Sequence, residues 1–494
     1  MYAIAGMMSA KDQAEKFTAG INQMKHRGRE QIVYRQLGNQ WLRVAEFGRG
    51  ISSPDSDLEE MGFPFIVFSG KLSNREDLKN RLRNKKPENL SADRSLILAL
   101  YEEQGEEFIS LLEGSFAFAI FDQEKGWLIA RDSLGRMPLY ISTSQDPFCF
   151  ASEMKTIREM TPDFIEFPSG SFYTPERGFR ETQRRIKKRG TVIKGSGEEQ
   201  MAEIRRLLLQ STETMMDGEE SVGVYLSGGL DSSIIAALAS EKRPGIPTFS
   251  VGIKGSADLK HARLCRDFIG SSHQEYIYTK EEMLEVLPEV IRQLESYDAG
   301  LVRSAVANYF LARISSGHIR TALSGEGADE LFLGYDYLLK LPPDQLEGES
   351  ERLLESLHNT GLQRGDRMSA AFGIQALTPF LDEGFFEMAL QIPAAVRQME
   401  GKPEKWMLKE AFQGLIPDEI RNRKKNKFSV GAGSSRLISQ VANEKISDKE
   451  WEEERVTLSG HPLISKEELV YYRIFREYFP ELACDKAVGH TRHL

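Results

Sequence analysis

Three short stretches hold residue types whose spacing could do chemistry. The first is Ser227-Gly228-Gly229-Leu230-Asp231-Ser232-Ser233, which follows the apolar run 222–226 and precedes an Ile/Ala/Leu segment with helical spacing. It reads as a buried strand, a tight turn and a helix. Glycines let a backbone approach an anion, the first free N–H groups of a helix point at it, and Ser227, Ser232 and Ser233 add hydroxyls. Asp231 is a poor phosphate ligand alone; its charge suits holding Mg²⁺ that itself sits on the phosphates. A plain strand-turn-helix with an Asp cap uses the same residues. The second stretch, Ser324-Gly325-Glu326-Gly327-Ala328-Asp329-Glu330, reads as an acidic turn or as a solvated helix start with capping acids. The third, Arg423-Lys424-Lys425-Asn426-Lys427, reads alone as a surface charge run, whereas opposite a phosphate loop it would offset charge in a transition state.

The elements that must position these groups fall into two parts. Residues 1–180 look β-rich, with short aromatic or β-branched runs at 63–68, 115–121, 126–130 and 148–151, and helices at 76–83 and 93–104. A polar, basic and glycine-bearing linker follows at 181–200. Its run 184–190 could suggest nucleic acid, but in an acidic protein a solvated linker is the better reading. The second domain, 201–494, opens with a helix over 197–216 that leads into the phosphate-loop strand. Strands at 247–253 and 273–278 then alternate with helices at 257–268, 280–295 and 303–315, and residues from 346 onward are mainly helical. Such alternation predicts a doubly wound parallel sheet, with ligands at the carboxyl ends of its strands.

Composition fits an ordinary enzyme of two or more domains: 494 residues, 40% hydrophobic, and a net charge of -10 from 64 basic and 74 acidic residues. That balance argues against a nucleic-acid surface. Cys149, Cys265 and Cys484 contain no CxxC pair, so neither a disulfide framework nor a thiolate metal site is indicated. The start lacks the plan of a signal peptide, and no apolar run approaches roughly 18 residues. A cytoplasmic location without membrane contact is expected.

The stretch from Ser227 to Ser233 resembles the pyrophosphate loop (PP-loop) of ATP pyrophosphatases, which cleave ATP between its α and β phosphates. With its flanks it resembles the bacterial-type glutamine-dependent asparagine synthetases over nearly the whole chain. Local matches in the first part are His26-Arg27-Gly28, Leu72-Ser73-Asn74, and the stretches beginning at Glu113, Arg131 and Phe150. The resemblance implies an α/β protein: an αββα N-terminal-nucleophile domain like class II glutamine amidotransferases, then a doubly wound parallel sheet of the PP-loop type with helical additions. It implies ATP and Mg²⁺ as cofactors. Leu226, Ser227, Gly228, Gly229, Asp231, Ser232, Ser233, Ser324 and Gly325 match nucleotide contacts, Val251 an adenine contact and Asp258 a position near the nucleotide. Asp231 and Asp329 match magnesium-associated carboxylates. Glu326 matches a catalytic glutamate at the adenylated acyl group, Lys425 a lysine that neutralises acyl-adenylate and pyrophosphate, and Lys405 a second lysine near the phosphates. Arg303, Gly300, Leu301, Tyr335 and Gln375 fall on the acceptor side.

Departures from the family pattern shape the expected function. Where relatives begin with a cysteine whose thiol attacks glutamine and whose amine acts as base, this chain has Tyr2. Ser69-Gly70 replaces the Asn-Gly that supplies oxyanion donors, although Arg49 and Asp93 match the residues that hold glutamine. A pair of threonines before Arg303 has become Gly300 and Leu301, a Glu/Arg pair has become Gln375 and Leu377, Leu333 precedes Gly334-Tyr335, and Ser429-Val430-Gly431 stands for Ser-Asp-Gly. The β-lactam-forming relatives place a tyrosine where this chain keeps Glu326, which argues against their ring closure. The expectation is an AMP-forming amide ligase that adenylates a carboxylate and transfers ammonia or another amine to it, without glutaminase activity of its own. An enlarged, less polar pocket should favour an acid larger than aspartate. The alternatives are ammonia-dependent asparagine synthesis and a noncatalytic nucleotide-binding or scaffold subunit. As partners, the reading allows a separate amine-supplying protein and a homodimer.

Overall fold

A computed structural model describes residues 2–48, 62–83, 92–182, 197–424 and 434–491. They form two compact units, Met1–Lys187 with Phe479–Ala487, and Lys188–Tyr478 with Val488–Leu494.

The first unit is two antiparallel sheets between helices. Its strands are β1 (Tyr2–Ser9), β2 (Arg29–Leu37), β3 (Gln40–Gly48), β4 (Phe65–Leu72), β5 (Gly114–Asp122), β6 (Gly126–Arg131), β7 (Tyr140–Ser142), β8 (Phe148–Ala151), β9 (Phe164–Glu166), β10 (Ser171–Thr174) and β11 (Gly178–Glu181). One sheet runs β2-β3-β1-β8-β7-β9 and the other β11-β10-β6-β5-β4. Alternating apolar side chains of both sheets, among them Ile4, Val44, Val67, Ala119, Ile129 and Phe150, fill the space between them. A second core lies between the outer face of the smaller sheet and helix α3 (Asp93–Gln104), where Ile66, Phe68, Phe118 and Ile120 meet Leu96, Ile97 and Leu100. Helix α1 (Ala14–Asn22) packs with α4 (Met154–Met160) against β8, and α2 (Arg75–Arg81) packs on α3. The αββα expectation holds.

The second unit carries a parallel sheet of β12 (Val222–Tyr225), β13 (Pro247–Gly252), β14 (Ser272–Ile277), β15 (Thr321–Leu323) and β16 (Gln375–Leu377), in the order β14-β13-β12-β15-β16. The chain starts in the middle, winds outward through β13 and β14, then returns to β15 on the other side of β12. The topological switch point therefore lies between β12 and β15, where an open α/β sheet leaves a crevice beyond its strand ends. Helices α5 (Gly197–Met216), α6 (Leu230–Lys242), α7 (Ala257–Ile269), α8 (Lys280–Leu294) and α9 (Ala299–Ser315) accompany these strands. Helix α9 starts four residues earlier than the spacing predicts, because Asp298 caps it by accepting the Leu301 N–H at 2.8 Å. No described helix is long and apolar enough to cross a membrane.

Candidate active site

The loops after β12 and β15 meet at the switch point. After β12, the hydroxyls of Ser227 and Ser232 lie 2.9 Å apart and Ser227 accepts the Gly229 N–H at 3.3 Å, closing a turn whose next residue begins α6. Ser250 on β13 donates to the Leu226 carbonyl and Leu226 N–H donates to Phe249, so the adjacent strand fixes the start of this turn. Val251, one residue further along β13, is buried. After β15, Gly325 presses on the first turn of α6: a Cβ there would sit 2.8 Å from the Ser232 nitrogen. Only glycine permits that approach, and it brings Glu326 and Asp329 beside Asp231.

Lys405 ties the two loops together. Its buried Nζ lies 2.5 Å from Asp231 Oδ2 and 2.5 Å from Asp329 Oδ1. Burial alone would lower this ammonium's pKa, and the two carboxylates more than reverse that, holding it above its ordinary value. The residue stands at φ 53°, a left-handed conformation that costs a non-glycine residue about 1–2 kcal/mol. Gly334 makes room for the bridge, since a Cβ there would lie 2.1 Å from Lys405 Cε and 2.2 Å from Asp329 Oδ1. Next to Asp329, burial pushes the Glu330 carboxyl up to about 7, with the Asp329 charge adding to it, and the Tyr335 hydroxyl donates to Glu330 at 2.5 Å.

Glu326 is ion-paired with Arg364, and its N–H donates to the Ser324 hydroxyl at 3.3 Å. Arg423 reaches the other side of the phosphate loop, donating to the Gly228 carbonyl at 3.2 Å and to Asp258 at 2.6 Å. Burial pushes the Asp258 carboxyl up, against the pull of that guanidinium. Among the residues expected on the acceptor side, Arg303 donates from Nε and Nη2 to the two oxygens of buried Glu467, both at 2.7 Å. Leu301 is buried in α9, and Gln375 begins β16, its N–H on the Arg320 carbonyl at 2.9 Å.

In the first unit, Tyr2 begins β1 opposite Gly48. Ser69 is fully buried on β4, its hydroxyl 3.6 Å from the Met137 sulfur, and Gly70 follows on the same strand. Asp93 heads α3, accepting the Leu72 N–H at 3.1 Å and facing Arg75 at 3.0 Å. Arg49, Lys425, the basic run 184–190 and the segment 429–431 lie outside the described residues.

The structure thus gathers Ser227, Asp231, Ser232, Ser324, Gly325, Glu326, Asp329 and Lys405 at one crevice. Sequence reasoning missed Arg364, Arg423, Glu467 and Glu330. Arg423 and Glu330 stood in stretches already singled out, while Arg364 and Glu467 carried no local signal. Among the described residues no cluster of three or more His, Cys, Asp or Glu is arranged to hold an ion by itself. Two carboxylates completed by substrate phosphates and water are, however, what Mg²⁺ ordinarily takes, and Asp231 with Asp329 supplies them.

Comparison with known proteins agrees with this geometry. The Asparagine synthase family matches residues 203–347 and 339–493, and the Glutamine amidotransferase domain family matches residues 1–166. Asparagine synthetase B [glutamine-hydrolyzing] of Escherichia coli (strain K12) is 34% identical over 437 residues, covering 84% of this chain and 79% of that protein. Asparagine synthetase [glutamine-hydrolyzing] 2 of Oryza sativa subsp. japonica is 33% identical over 451 residues, covering 85% and 74%. These relatives correct the expectation of a ligase without glutaminase activity of its own, and with it the ammonia-dependent and noncatalytic alternatives. Both are named glutamine-hydrolyzing, and the amidotransferase match spans β1 to β9. The expectation let Tyr2 and Ser69 outweigh a whole domain, whereas two side-chain identities describe two positions in a unit that keeps its fold. With both family matches in register with the two units, this chain belongs to the asparagine synthetase family.

Proposed function

We propose that this AMP- and pyrophosphate-forming ligase acts on aspartate or an acid of similar size, with glutamine as its nitrogen source. The substrate carboxylate oxygen attacks the α-phosphorus of ATP, the bond to the bridging oxygen breaks, and pyrophosphate leaves with that electron pair. The nitrogen donor then attacks the acyl carbon, AMP leaves, and one proton is released. Glu326, held by Arg364, is the group proposed to face the attacking nitrogen and take that proton. The turn at Ser227–Ser232 and the N-terminus of α6 would cradle the phosphates. Mg²⁺ bound through Asp231 and Asp329 would neutralise phosphate charge. The observation that carries the reading is Lys405 at 2.5 Å from both aspartates, because it joins the two switch-point loops in one ionic centre. The relatives' names supply glutamine and the product asparagine, whose side-chain amide corresponds to the carboxylate of aspartate.

The test is nucleotide analysis with ATP, Mg²⁺, a panel of acids, and either glutamine or an ammonium salt. Acid-dependent AMP and pyrophosphate are expected, with asparagine and glutamate accumulating when glutamine is supplied. Ammonium should substitute at high concentration, since the same acyl-adenylate is attacked whatever releases the nitrogen. ADP in place of AMP would overturn the ligase reading. No glutamate release from glutamine, with ammonium still active, would overturn glutamine as the source.

A further inference from the structure

A short segment near the chain's end packs over the start of α9. Thr491 donates its N–H to Asp298 Oδ2 at 2.8 Å, and its hydroxyl lies 2.8 and 2.9 Å from the two oxygens of the same carboxylate. Asp298 is fully buried and already caps α9 through Leu301. The Thr491 hydroxyl fills the space beside Gly300, 2.7 Å from where a Cβ would stand. The ring of His490 stacks on His461 with centroids 3.5 Å apart and tilts against Tyr297 at 5.5 Å. Gly489 packs against Asn359, whose Cβ would lie 2.5 Å from a Cβ at 489. Two residues on, Gly361 abuts Glu326, whose Oε2 would be 2.6 Å from a Cβ at 361. The segment is therefore linked to the glutamate of the crevice through residues 359–361, and to Arg303 through the first turn of α9.

Gly300 stands in the first turn of α9, and the space left by its missing side chain is occupied by Thr491. We infer that residues 489–491 form a wall of the carboxylate pocket and that Thr491 is the positioning residue that sets its size, restricting the acceptor to a small acid. Reading Gly300 by itself predicted a wider pocket; the folded chain refills that volume with a hydroxyl anchored on Asp298. The inference rests on the ligase reading above and adds the element that decides which acid enters.

The experiment is acid-dependent pyrophosphate release by the full chain and by Thr491→Ala, Thr491→Ser and Gly300→Ala, with aspartate and with glutamate as a longer acid. Loss of one anchoring hydroxyl should raise the KM for aspartate about tenfold, leave the KM for ATP within twofold, and lower the preference for aspartate over glutamate. Thr491→Ser keeps the hydroxyl and should behave as wild type. Gly300→Ala, whose methyl collides with Thr491 Oγ1, should reproduce the alanine phenotype from the other side. An aspartate KM and acid preference unchanged in both Thr491→Ala and Gly300→Ala would overturn the wall. Absence of acid-dependent pyrophosphate from wild type would overturn the ligase reading and the wall with it.

Discussion

Each unit buries a knot of charge, and the two are balanced in opposite senses. In the first, one fully buried carboxylate, Glu153, receives Arg27 at 2.6 Å, Lys155 at 2.6 Å and His26 at 3.2 Å. In the second, buried Lys405 is shared by Asp231 and Asp329, with Glu330 beside them and Glu326 paired to Arg364. Cationic partners surround the acid in one, and acids outnumber cations in the other. In the first knot the one buried acid is met by cations on every contact, so no carboxylate charge is left over. The second has carboxylate in excess, held by a lysine in a left-handed conformation, which is a state that a divalent cation with its phosphates relieves. Packed charge serves the fold where every buried carboxylate is met by a cation, and suits a cationic ligand where carboxylates are in excess.

The largest expected effect comes from breaking the closed knot. Glu153→Gln removes the carboxylate charge that buried Arg27 and Lys155 face and should destabilise the first unit by about 3–5 kcal/mol in denaturant titration. Burial alone would raise the Glu153 carboxyl, but Lys155, Arg27 and His26 hold it well below its usual range. Its contribution is thus full above the unfolded value near 4.5 and drains away as pH falls through the lower folded value. Wild type should show that acid limb in unfolding between roughly pH 5 and pH 2, the range below the ordinary carboxylate value, and Glu153→Gln should lack it.

Breaking the open knot should cost function rather than fold. Asp231→Ala removes one side of the Lys405 bridge and one of the two carboxylates proposed to hold Mg²⁺. Acid-dependent AMP formation should fall by about 10²- to 10³-fold, while the melting temperature changes far less than in Glu153→Gln. Normal turnover by this variant would separate the crevice from the chemistry. Gly334→Ala should have a smaller effect of the same kind: its methyl displaces Lys405 or Asp329, an overpacking cost of about 1–3 kcal/mol, read as lower affinity for ATP with Mg²⁺ in calorimetry.

The parts of this site legible in the sequence are those carried by contiguous residues. Ser227 to Ser233 states strand, turn and helix in order, and Asp329 and Lys405 were placed by resemblance. Partnerships between distant residues were not legible. Nothing local in Arg364 says that it meets Glu326, and nothing near Arg303, placed on the acceptor side by resemblance, points to Glu467, which lies 164 residues on. Thr491 had no signal at all, since its role depends on a space left at Gly300. In the first unit, β1 was missed because its Ala, Gly and Met have weak strand preference, and β2 because its Arg, Glu and Gln mask a half-buried alternation. Both strands are specified by pairing with β3 rather than by their own residues.

The smallest expected effect sharpens the comparison by supplying charge without burial. Arg263 and Glu275 make a two-pronged pair at 2.8 and 2.6 Å, as short as the contacts inside either knot, with side chains 44% and 29% exposed. If distance alone decided the worth of an ion pair, this one would rival Glu153 with Arg27. Water solvates both partners, so neither is stranded when the other is lost, and salt screens what attraction remains. A double-mutant cycle of Arg263→Gln and Glu275→Gln should give a coupling below about 1 kcal/mol that shrinks further in 1 M salt, where the Debye length is about 3 Å. The cost of Glu153→Gln should survive the same salt, because Arg27 and Lys155 are buried beyond the reach of solvent ions. A surface coupling of about 3 kcal/mol, or a Glu153→Gln penalty erased by salt, would show that contact distance and not charge balance under burial separates the two units.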